Sequence, residues 1–258
     1  MKYTKIIFSL VFVYIFFGMF LYFFQSSFIY FPSNQDFYDC DGFLGFDRLN
    51  YNNTNFYFLN SSSDNVLVYY HGNAGSLCDR SSISDFFIGL NYSLLFVEYS
   101  GYGADGLFAS KDLILSNVLD VGKFIEENNF SDAIVVGSSI GSGPASFHSF
   151  SFDANKVVLL NPFDSLENVA KERFFFYPVG IILREDYDNV FWLEGFNGSV
   201  HIFHSERDEV MDPKYSKALF NSLNKTNNTY TLIEGAGHND LWAFEDFIYK
   251  LRSIILSR

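Results

Sequence analysis

The sequence is short of basic residues, cysteine and metal-binding clusters. It carries 17 lysines and arginines against 30 acidic residues, which gives a formal net charge of −13. Proteins that bind nucleic acid need clustered lysine and arginine to neutralise phosphates, so this balance argues against nucleic acid as a partner. A solvated acidic surface is the simpler explanation of the charge. The sequence has no C-x-x-C motif and no cluster of histidine and cysteine, so it indicates no metal and no cofactor.

The only cysteines are Cys40 and Cys78. Two cysteines do not make the disulfide framework of a small secreted protein. They are compatible with one bridge in an oxidising compartment and equally with two buried thiols. Seven N-x-S/T sequons suggest exposure to a glycosylating lumen, although an asparagine-rich surface gives the same pattern. The sequons begin at Asn52, Asn60, Asn91, Asn129, Asn197, Asn224 and Asn227.

An uncharged run extends from Ile6 to Phe24 near the start of the chain. As a helix with a rise of about 1.5 Å per residue, it spans about 28 Å, close to the thickness of a hydrocarbon core. Lys2 and Lys5 precede the run, whereas the following stretch to Asp41 has acidic residues and no lysine or arginine. The positive-inside rule therefore predicts a cytoplasmic N-terminus, with the rest of the chain on the periplasmic, lumenal or extracellular side.

A cleaved signal peptide is the alternative to a membrane anchor. Signal peptides usually have a shorter apolar stretch that ends in a small-x-small cleavage site. Here the run continues into Phe28–Pro32, and Ser26 and Ser27 offer the only small residues at its end. The sequence therefore favours an uncleaved anchor over residues 1–26 and one α/β domain over residues 27–258, which is ample length for a core.

Downstream of the anchor, predicted strands alternate with predicted helices. Such alternation indicates a mostly parallel sheet with helices on both faces. The stretch from Pro162 to Asn197 interrupts the alternation and is the predicted cap over a site. The predicted strands are Gly45–Asn50, Asn55–Leu59, Val66–Tyr70, Tyr92–Tyr99, Ala133–Val136, Lys156–Leu160, Val200–Phe203 and Tyr230–Ile233, and the predicted helices are Ser76–Leu90, Lys111–Asn128 and Asp240–Leu256.

A G-x-S-x-G segment, Gly137 to Gly141, follows one of these predicted strands. A sharp strand-to-helix turn leaves no room for side chains on either side of its serine, so small residues are needed there. Ser139 is the predicted nucleophile because the two glycines flank it. Ser138 is excluded in the same frame, since larger residues would occupy the glycine positions. A simple tight turn is the alternative interpretation of the segment.

Histidine is the side chain whose ordinary pKa suits the deprotonation of a serine near neutral pH. His238 follows the last predicted strand in the glycine-rich segment Gly235–His238, which lets it reach the serine, so it is the predicted base. Asp208 follows the preceding strand and is the predicted acid, which would hold His238 in one tautomer. The neighbouring acidic residues are interpreted as solvated charge; they are Glu206, Glu209 and Asp212.

The segment His71–Gly75 completes the set of motifs. The backbone N–H groups of Asn73 and Ile140 are the predicted donors to an oxyanion, the second of them at a helix N-terminus. His71 is predicted to anchor this turn through backbone hydrogen bonds. The remaining histidines are interpreted as structural; they are His148, His201 and His204.

At these motifs the chain resembles the α/β-hydrolase serine hydrolases, in which serine, acid and histidine follow in this order. It looks most like the small, membrane-anchored, short-cap group related to the serine aminopeptidases, which includes protein depalmitoylases and lipid-processing esterases. The likeness covers about residues 28–256. One departure is Glu98, where the family more often has aspartate. The likeness extends to Tyr30-Phe31-Pro32, Tyr99-Ser100-Gly101-Tyr102-Gly103, Gly141-Ser142-Gly143-Pro144-Ala145, Asn161-Pro162-Phe163 and Gly237-His238-Asn239-Asp240.

The resemblance implies an α/β-hydrolase fold and hydrolysis of acyl esters or thioesters through an acyl-enzyme, with Ser139, Asp208 and His238 as the triad. The expected substrate is a small or lipid-like acyl compound. The apolar runs Phe174–Pro178 and Ile181–Leu183 suit either an acyl-binding wall or a cap packed on the core. A peptidase with the same residues is one alternative. An inactive, membrane-tethered binding module is another, although all three triad positions are occupied.

Overall fold

The computed structural model describes residues 2–223 and 225–257. In this part of the chain eight strands form one sheet in the order β1-β2-β4-β3-β5-β6-β7-β8. β2 is antiparallel to β1 and β4, and the other neighbouring strands run parallel. The mostly parallel sheet predicted from the sequence is therefore confirmed. The strands are β1 (Asp47–Tyr51), β2 (Thr54–Leu59), β3 (Asn65–Tyr70), β4 (Ser93–Glu98), β5 (Asp132–Ser138), β6 (Lys156–Leu160), β7 (Ser199–Ser205) and β8 (Thr229–Ile233).

Helices pack against both faces of this sheet. Three short helices between β6 and β7, α4 to α6, lie in the predicted cap region. Short 3₁₀ segments at Cys78–Phe86, Ser139–Gly141 and Leu241–Ala243 supplement them. The α-helices are α1 (Lys2–Ile29), α2 (Lys111–Glu127), α3 (Ser142–Ser151), α4 (Leu166–Arg173), α5 (Val179–Ile182), α6 (Asn189–Glu194), α7 (Pro213–Ser222) and α8 (Glu245–Leu256).

The core lies in two layers, one on each face of the sheet. Successive side chains of a strand point to opposite faces, and β3 shows this alternation. Val66 and Val68 pack in one buried cluster with side chains of α2 and α3. Leu67 and Tyr69 pack in the other cluster with side chains of α8. The predicted strand Val66–Tyr70 is therefore buried on both faces of the sheet.

The predicted helix Ser76–Leu90 is a 3₁₀ segment, Cys78–Phe86, that is kinked at Arg80 (φ −121°, ψ 15°). The side chain of Asp79 accepts a hydrogen bond from the backbone N–H of Ser76 at 2.7 Å. Local side-chain bonds of this kind compete with regular helical bonds, which explains the irregular geometry. The closing helix also begins later than predicted, at residue 245, after a short 3₁₀ turn.

α1 is a 28-residue helix with a mean hydropathy of 2.5 over its most apolar window, and only 6% of that window is buried. By length and composition it can cross a membrane. Its end lies beyond the predicted anchor boundary, because the helix continues to Ile29. Gln25, near this end, is buried against the rest of the protein.

The structure joins Cys40 and Cys78 in a disulfide, a pairing that the sequence left open. The bridge links the segment after α1 to the 3₁₀ segment after β3. Six of the seven sequon asparagines are exposed, and the seventh, Asn224, lies outside the described residues. The pairing and the exposed sequons are both compatible with an oxidising, glycosylating compartment.

Candidate active site

Ser139 lies at the sharp turn between β5 and α3. It has a positive φ of 53°, a strained conformation for a residue with a side chain. A Cβ atom added to Gly137 would lie 2.4 Å from the carbonyl oxygen of Gly141. One added to Gly141 would lie 2.3 Å from the carbonyl oxygen of Tyr70. Both flanking glycines are therefore required by close backbone contacts, as the sequence argument anticipated.

The structure brings Ser139, His238 and Asp208 into one hydrogen-bonded line. Nε2 of His238 lies 3.0 Å from Oγ of Ser139, although the two residues are 99 positions apart. Nδ1 of His238 lies 2.7 Å from Oδ2 of Asp208. With the ring proton on Nδ1, Nε2 is free to accept the serine proton, so the arrangement can generate a nucleophile.

The carboxylate of Asp208 is fully buried and highly hydrogen-bonded. Its Oδ1 accepts the backbone N–H groups of Val210 at 2.9 Å and Met211 at 2.7 Å, while Oδ2 faces His238. Burial by itself would raise the pKa of Asp208, but the bonds from His238 and Met211 outweigh it and the pKa is lowered. The group is therefore ionised at neutral pH and can balance a positive charge on the imidazole.

The other acidic residues near Asp208 bind backbone groups instead of the His238 ring. Glu206 accepts the N–H of Gly235 at 2.9 Å, and Glu209 accepts the backbone N–H of His238 at 3.3 Å. Asp212 caps the start of α7. Among the described residues, the side-chain partner of His238 on this side is Asp208.

The position of His204 was not predicted from the sequence. This buried side chain lies behind the acid, with Nε2 3.5 Å from Oδ2 of Asp208 and 2.9 Å from the carbonyl oxygen of Met211. Burial lowers the pKa of His204, although the Met211 carbonyl and Asp208 oppose the shift. The spacing of four residues between His204 and Asp208 was the available signal.

Asn73 and Ile140, the predicted oxyanion donors, line the same cavity as Ser139 and His238. A Cβ atom added to Gly72 would lie 3.6 Å from Cβ of Ser139, so the loop that carries Asn73 passes directly beside the serine. Ile140 lies in the turn Ser139–Gly141 that leads into α3. Both backbones are thus close to the position where an oxyanion would form.

His71 anchors this loop from behind. Its Nδ1 lies 2.8 Å from the carbonyl oxygen of Gly72, and its own carbonyl accepts a bond from the hydroxyl of Tyr99 at 2.8 Å. Nε2 lies 3.5 Å from Oε1 of Glu98, whose Oε2 accepts the backbone N–H of Leu77. The glutamate that departs from the family pattern therefore supports the loop.

Two further histidines lie away from the serine, as expected. Buried His148 lies 2.8 Å from the hydroxyl of Tyr70 through Nδ1, and burial lowers its pKa to about 4. His201 bonds to Thr229 and Ser199 in the sheet. Within residues 2–223 and 225–257, no group of three or more histidine, cysteine, aspartate or glutamate side chains is placed to hold a metal ion.

A cavity of about 900 Å³ ends at Ser139 and His238. Its walls are mostly apolar, and most of their large apolar side chains come from the second half of α1 and the region from α4 to α5. Pockets of this size suit a small organic ligand, and an apolar lining favours a lipophilic one. The wall residues include Phe17, Phe20, Leu21 and Phe28 of α1 and Phe174, Tyr177, Ile182 and Leu183 of the cap.

Comparison with known proteins supports the fold. No family model matches the chain. It is 26% identical over 206 residues to alpha/beta hydrolase domain-containing protein 17B of Xenopus laevis, covering 75% of this chain and 67% of that protein. The human protein of the same name is 26% identical over 216 residues, covering 74% and 66% respectively. The chain thus spans about two thirds of the length of these relatives.

Solved structures of esterases have the same fold. An esterase of Pyrococcus furiosus superimposes with a TM-score of 0.66 at 13% identity, covering 81% of this chain and 89% of that one. A thermophilic esterase of Thermogutta terrifontis, solved with butyrate, gives a TM-score of 0.65 at 13% identity, covering 83% and 94%. The fold expected from the sequence resemblance is confirmed.

Proposed function

This chain has the α/β-hydrolase fold, and we propose that the line of Ser139, His238 and Asp208 makes it a serine hydrolase. The observation that carries the proposal is the continuous pair of hydrogen bonds from Ser139 Oγ through the imidazole to the carboxylate. The strained elbow at Ser139 supports the same assignment, because strain of this kind is typical of functional positions.

In the proposed reaction, Oγ of Ser139 attacks an acyl carbonyl while Nε2 of His238 takes the hydroxyl proton. Asp208 balances the resulting imidazolium. The backbone N–H groups of Asn73 and Ile140 donate to the oxyanion, and each such donor contributes about 2.7–4 kcal/mol to the transition state. The leaving alcohol or thiol takes the proton from His238. Water then attacks the acyl-enzyme by the same route and releases the acid.

We assign the substrate to lipophilic acyl esters or thioesters. The cavity beside Ser139 is lined mainly by aromatic and aliphatic side chains. The two arginines that reach its wall have carbonyl partners: Arg80 donates to the carbonyls of Asn73 and Ser76, and Arg173 donates to that of Val210. An uncharged acyl chain therefore suits the cavity better than a charged peptide terminus.

We further propose that residues 1–26 are an uncleaved anchor and that residues 27–258 form the hydrolase domain. Gln25 accepts the backbone N–H groups of Arg184 at 2.7 Å and Glu185 at 3.1 Å. Ser26 donates to the carboxylate of Glu185 at 2.9 Å. A cleaved signal peptide has no need of such contacts with the mature protein, because it is removed.

The proposed topology keeps the N-terminus in the cytoplasm and the hydrolase domain on the periplasmic, lumenal or extracellular side. The positive-inside pattern supports this orientation. The Cys40–Cys78 disulfide supports it independently, since stable disulfides are rare in reducing compartments.

The test is to label purified full-length protein with a fluorophosphonate probe and to measure hydrolysis of p-nitrophenyl esters of increasing chain length, with Ser139→Ala alongside. We expect labelling at Ser139, turnover by the parent and loss of both in the variant. Absence of labelling in folded parent protein would refute the proposal. Labelling with turnover of aminoacyl amides but not esters would favour a peptidase. Ligand binding without turnover would favour a binding module.

A further inference from the structure

α1 forms one wall of the cavity that ends at Ser139. The wall residues of α1 recur at intervals of three and four, so they lie on one face of the helix. They are Phe17, Phe20, Leu21, Gln25, Phe28 and Ile29. One face of the predicted membrane anchor therefore lines the proposed substrate site.

Contacts along the helix hold this wall against the cap. The rings of Tyr14 and Tyr177 stack with centroids 4.6 Å apart, and the hydroxyl of Tyr14 donates to the carbonyl oxygen of Phe176 at 2.7 Å. A Cβ atom added to Gly18 would lie 3.3 Å from the Tyr177 ring, so the helix and the cap are in close contact there. The helix and the cap are thus in direct contact at this level of α1.

Polar contacts fix the near end of the same wall. The side-chain amide of Gln25 donates to the carbonyl of Ile182 at 3.1 Å. Its oxygen accepts the backbone N–H groups of Arg184 and Glu185. The carboxylate of Glu185 accepts the hydroxyls of Ser26 and Tyr30, both at 2.9 Å. Because these groups are satisfied by protein partners, they do not need a polar ligand in the cavity.

The length of the α1 wall is close to that of an extended long-chain acyl group. Ile29 lies at the Asn73 end, where the Asn73 side chain donates to its carbonyl. From Ile29 to Phe17 the helix rises about 18 Å, at about 1.5 Å per residue. A short acyl group with its carbonyl at Ser139 leaves most of this apolar surface uncovered, whereas an extended long-chain acyl group covers it.

We propose that Phe17, Phe20 and Leu21 of α1 determine the length of the acyl chain that the enzyme accepts. The occupant is the extended acyl chain of the ester or thioester, with its carbonyl at Ser139 and its tail between α1 and the cap. This inference rests on the proposed function and adds specificity-determining residues to it. The helix then serves as part of the binding site as well as an anchor.

The experiment uses full-length protein in detergent micelles and two opposite changes. Leu21→Trp narrows the cavity, and we expect the ratio of kcat/KM for p-nitrophenyl palmitate over butyrate to fall about tenfold or more, since each further buried methylene contributes roughly fourfold. Phe20→Ala widens the cavity and should move the preferred chain length upward. Rates are divided by the concentration of sites that a short-chain fluorophosphonate labels.

Matched control variants make the same residue changes, Leu to Trp and Phe to Ala, at positions of α1 that do not line the cavity. Leu10→Trp and Phe23→Ala change exposed side chains that do not line it, so they should keep the chain-length profile of the parent. If Leu21→Trp and Phe20→Ala also keep that profile while the parent turns over esters, the inference is wrong and the serine hydrolase stands. If the parent shows neither labelling nor turnover, both proposals fail. If one variant does not fold, the other decides.

Discussion

Asn73 and Ile29 are joined by a hydrogen bond from the side-chain amide of Asn73 to the carbonyl of Ile29. The loop that carries a proposed oxyanion donor is therefore fixed to the last residue of α1. Oδ1 of Asn73 also accepts the N–H of Phe31 at 3.2 Å and the hydroxyl of Tyr102 at 2.7 Å. One side chain thus connects the loop to the segment after the helix and to the core.

We expect Asn73→Ala to lower kcat about tenfold or more, because several hydrogen bonds that hold the loop are lost at roughly 1 kcal/mol each. The backbone N–H remains but is no longer held in place. Tyr102→Phe removes one of these bonds and should have a clearly smaller effect. Turnover per labelled site measures both. Parent-like turnover by Asn73→Ala would show that the side chain does not position the loop.

Asp208→Asn should lower kcat by a factor on the order of 10⁴, because an amide no longer holds the neutral imidazole in the required tautomer. The variant should also lose a pH-dependent part of its stability. The pKa of Asp208 is lowered in the folded protein, so its ionised form stabilises the fold above the ordinary carboxyl range. That contribution disappears as the pH falls through the folded-state pKa.

Urea unfolding of parent and Asp208→Asn protein at a series of pH values measures this linkage. The difference in unfolding free energy should shrink as the medium becomes acidic. A difference that stays constant with pH would contradict the role of Asp208 as a buried carboxylate.

His148 should make the protein less stable in mild acid. Burial lowers its pKa from 6.5 to about 4, so the unfolded chain takes up a proton more readily than the folded protein. The contribution of neutral His148 to the free energy of unfolding is fully present above pH 6.5 and is lost as the pH falls towards 4. The loss amounts to about 3 kcal/mol. His148→Phe should show a correspondingly shallower decline in urea unfolding; parallel curves would refute the assignment.

Loss of the Cys40–Cys78 bridge should lower the free energy of unfolding by about 2–4 kcal/mol, because the unfolded chain gains freedom when its 38-residue loop is opened. The double change to serine tests this by urea unfolding. Thiol alkylation of protein from membranes, with and without reductant, gives a separate readout. Labelling of both cysteines without reductant would argue against an oxidising location for the domain.

Gly141→Ala should abolish Ser139 labelling, since the added methyl group would lie 2.3 Å from the carbonyl oxygen of Tyr70 and 2.5 Å from that of His71. Gly195→Ala is the matched control, because a Cβ atom there would meet no atom of the described residues within 4 Å and the residue has no positive φ. Labelling rates of the two variants give the comparison. Equal rates would show that the elbow tolerates a side chain.

The sequence predicted the sheet and the order of Ser139, Asp208 and His238 because both depend on local signals. Apolar runs bounded by turns marked the strands, and flanking glycines marked the elbow. The composition of residues 76–90 predicted an α-helix, whereas the structure has a 3₁₀ segment there. Serine and aspartate side chains in this segment bond to nearby backbone groups. Local patterns alone could not show that competition.

Contacts between distant segments cannot be predicted from local sequence patterns. The bond from Ser26 to Glu185 joins residues 159 positions apart, and neither residue belongs to a recognisable motif. His204 was dismissed because a lone histidine on a strand is usually structural, and its place behind Asp208 depends on how β7 meets the following loop. The position of α1 against the cap likewise follows from packing that no periodicity encodes.

Because α1 is both a wall of the cavity and an apolar helix, the reaction rate should depend on the concentration of substrate in the membrane. If α1 lies in a bilayer, the enzyme meets its substrate by lateral diffusion, and the relevant concentration is the mole fraction of substrate in that membrane. Adding inert lipid at constant total substrate then slows turnover by surface dilution, whereas changing the aqueous volume does not. The turnover rate of such an enzyme therefore depends on the lipid composition of its own membrane.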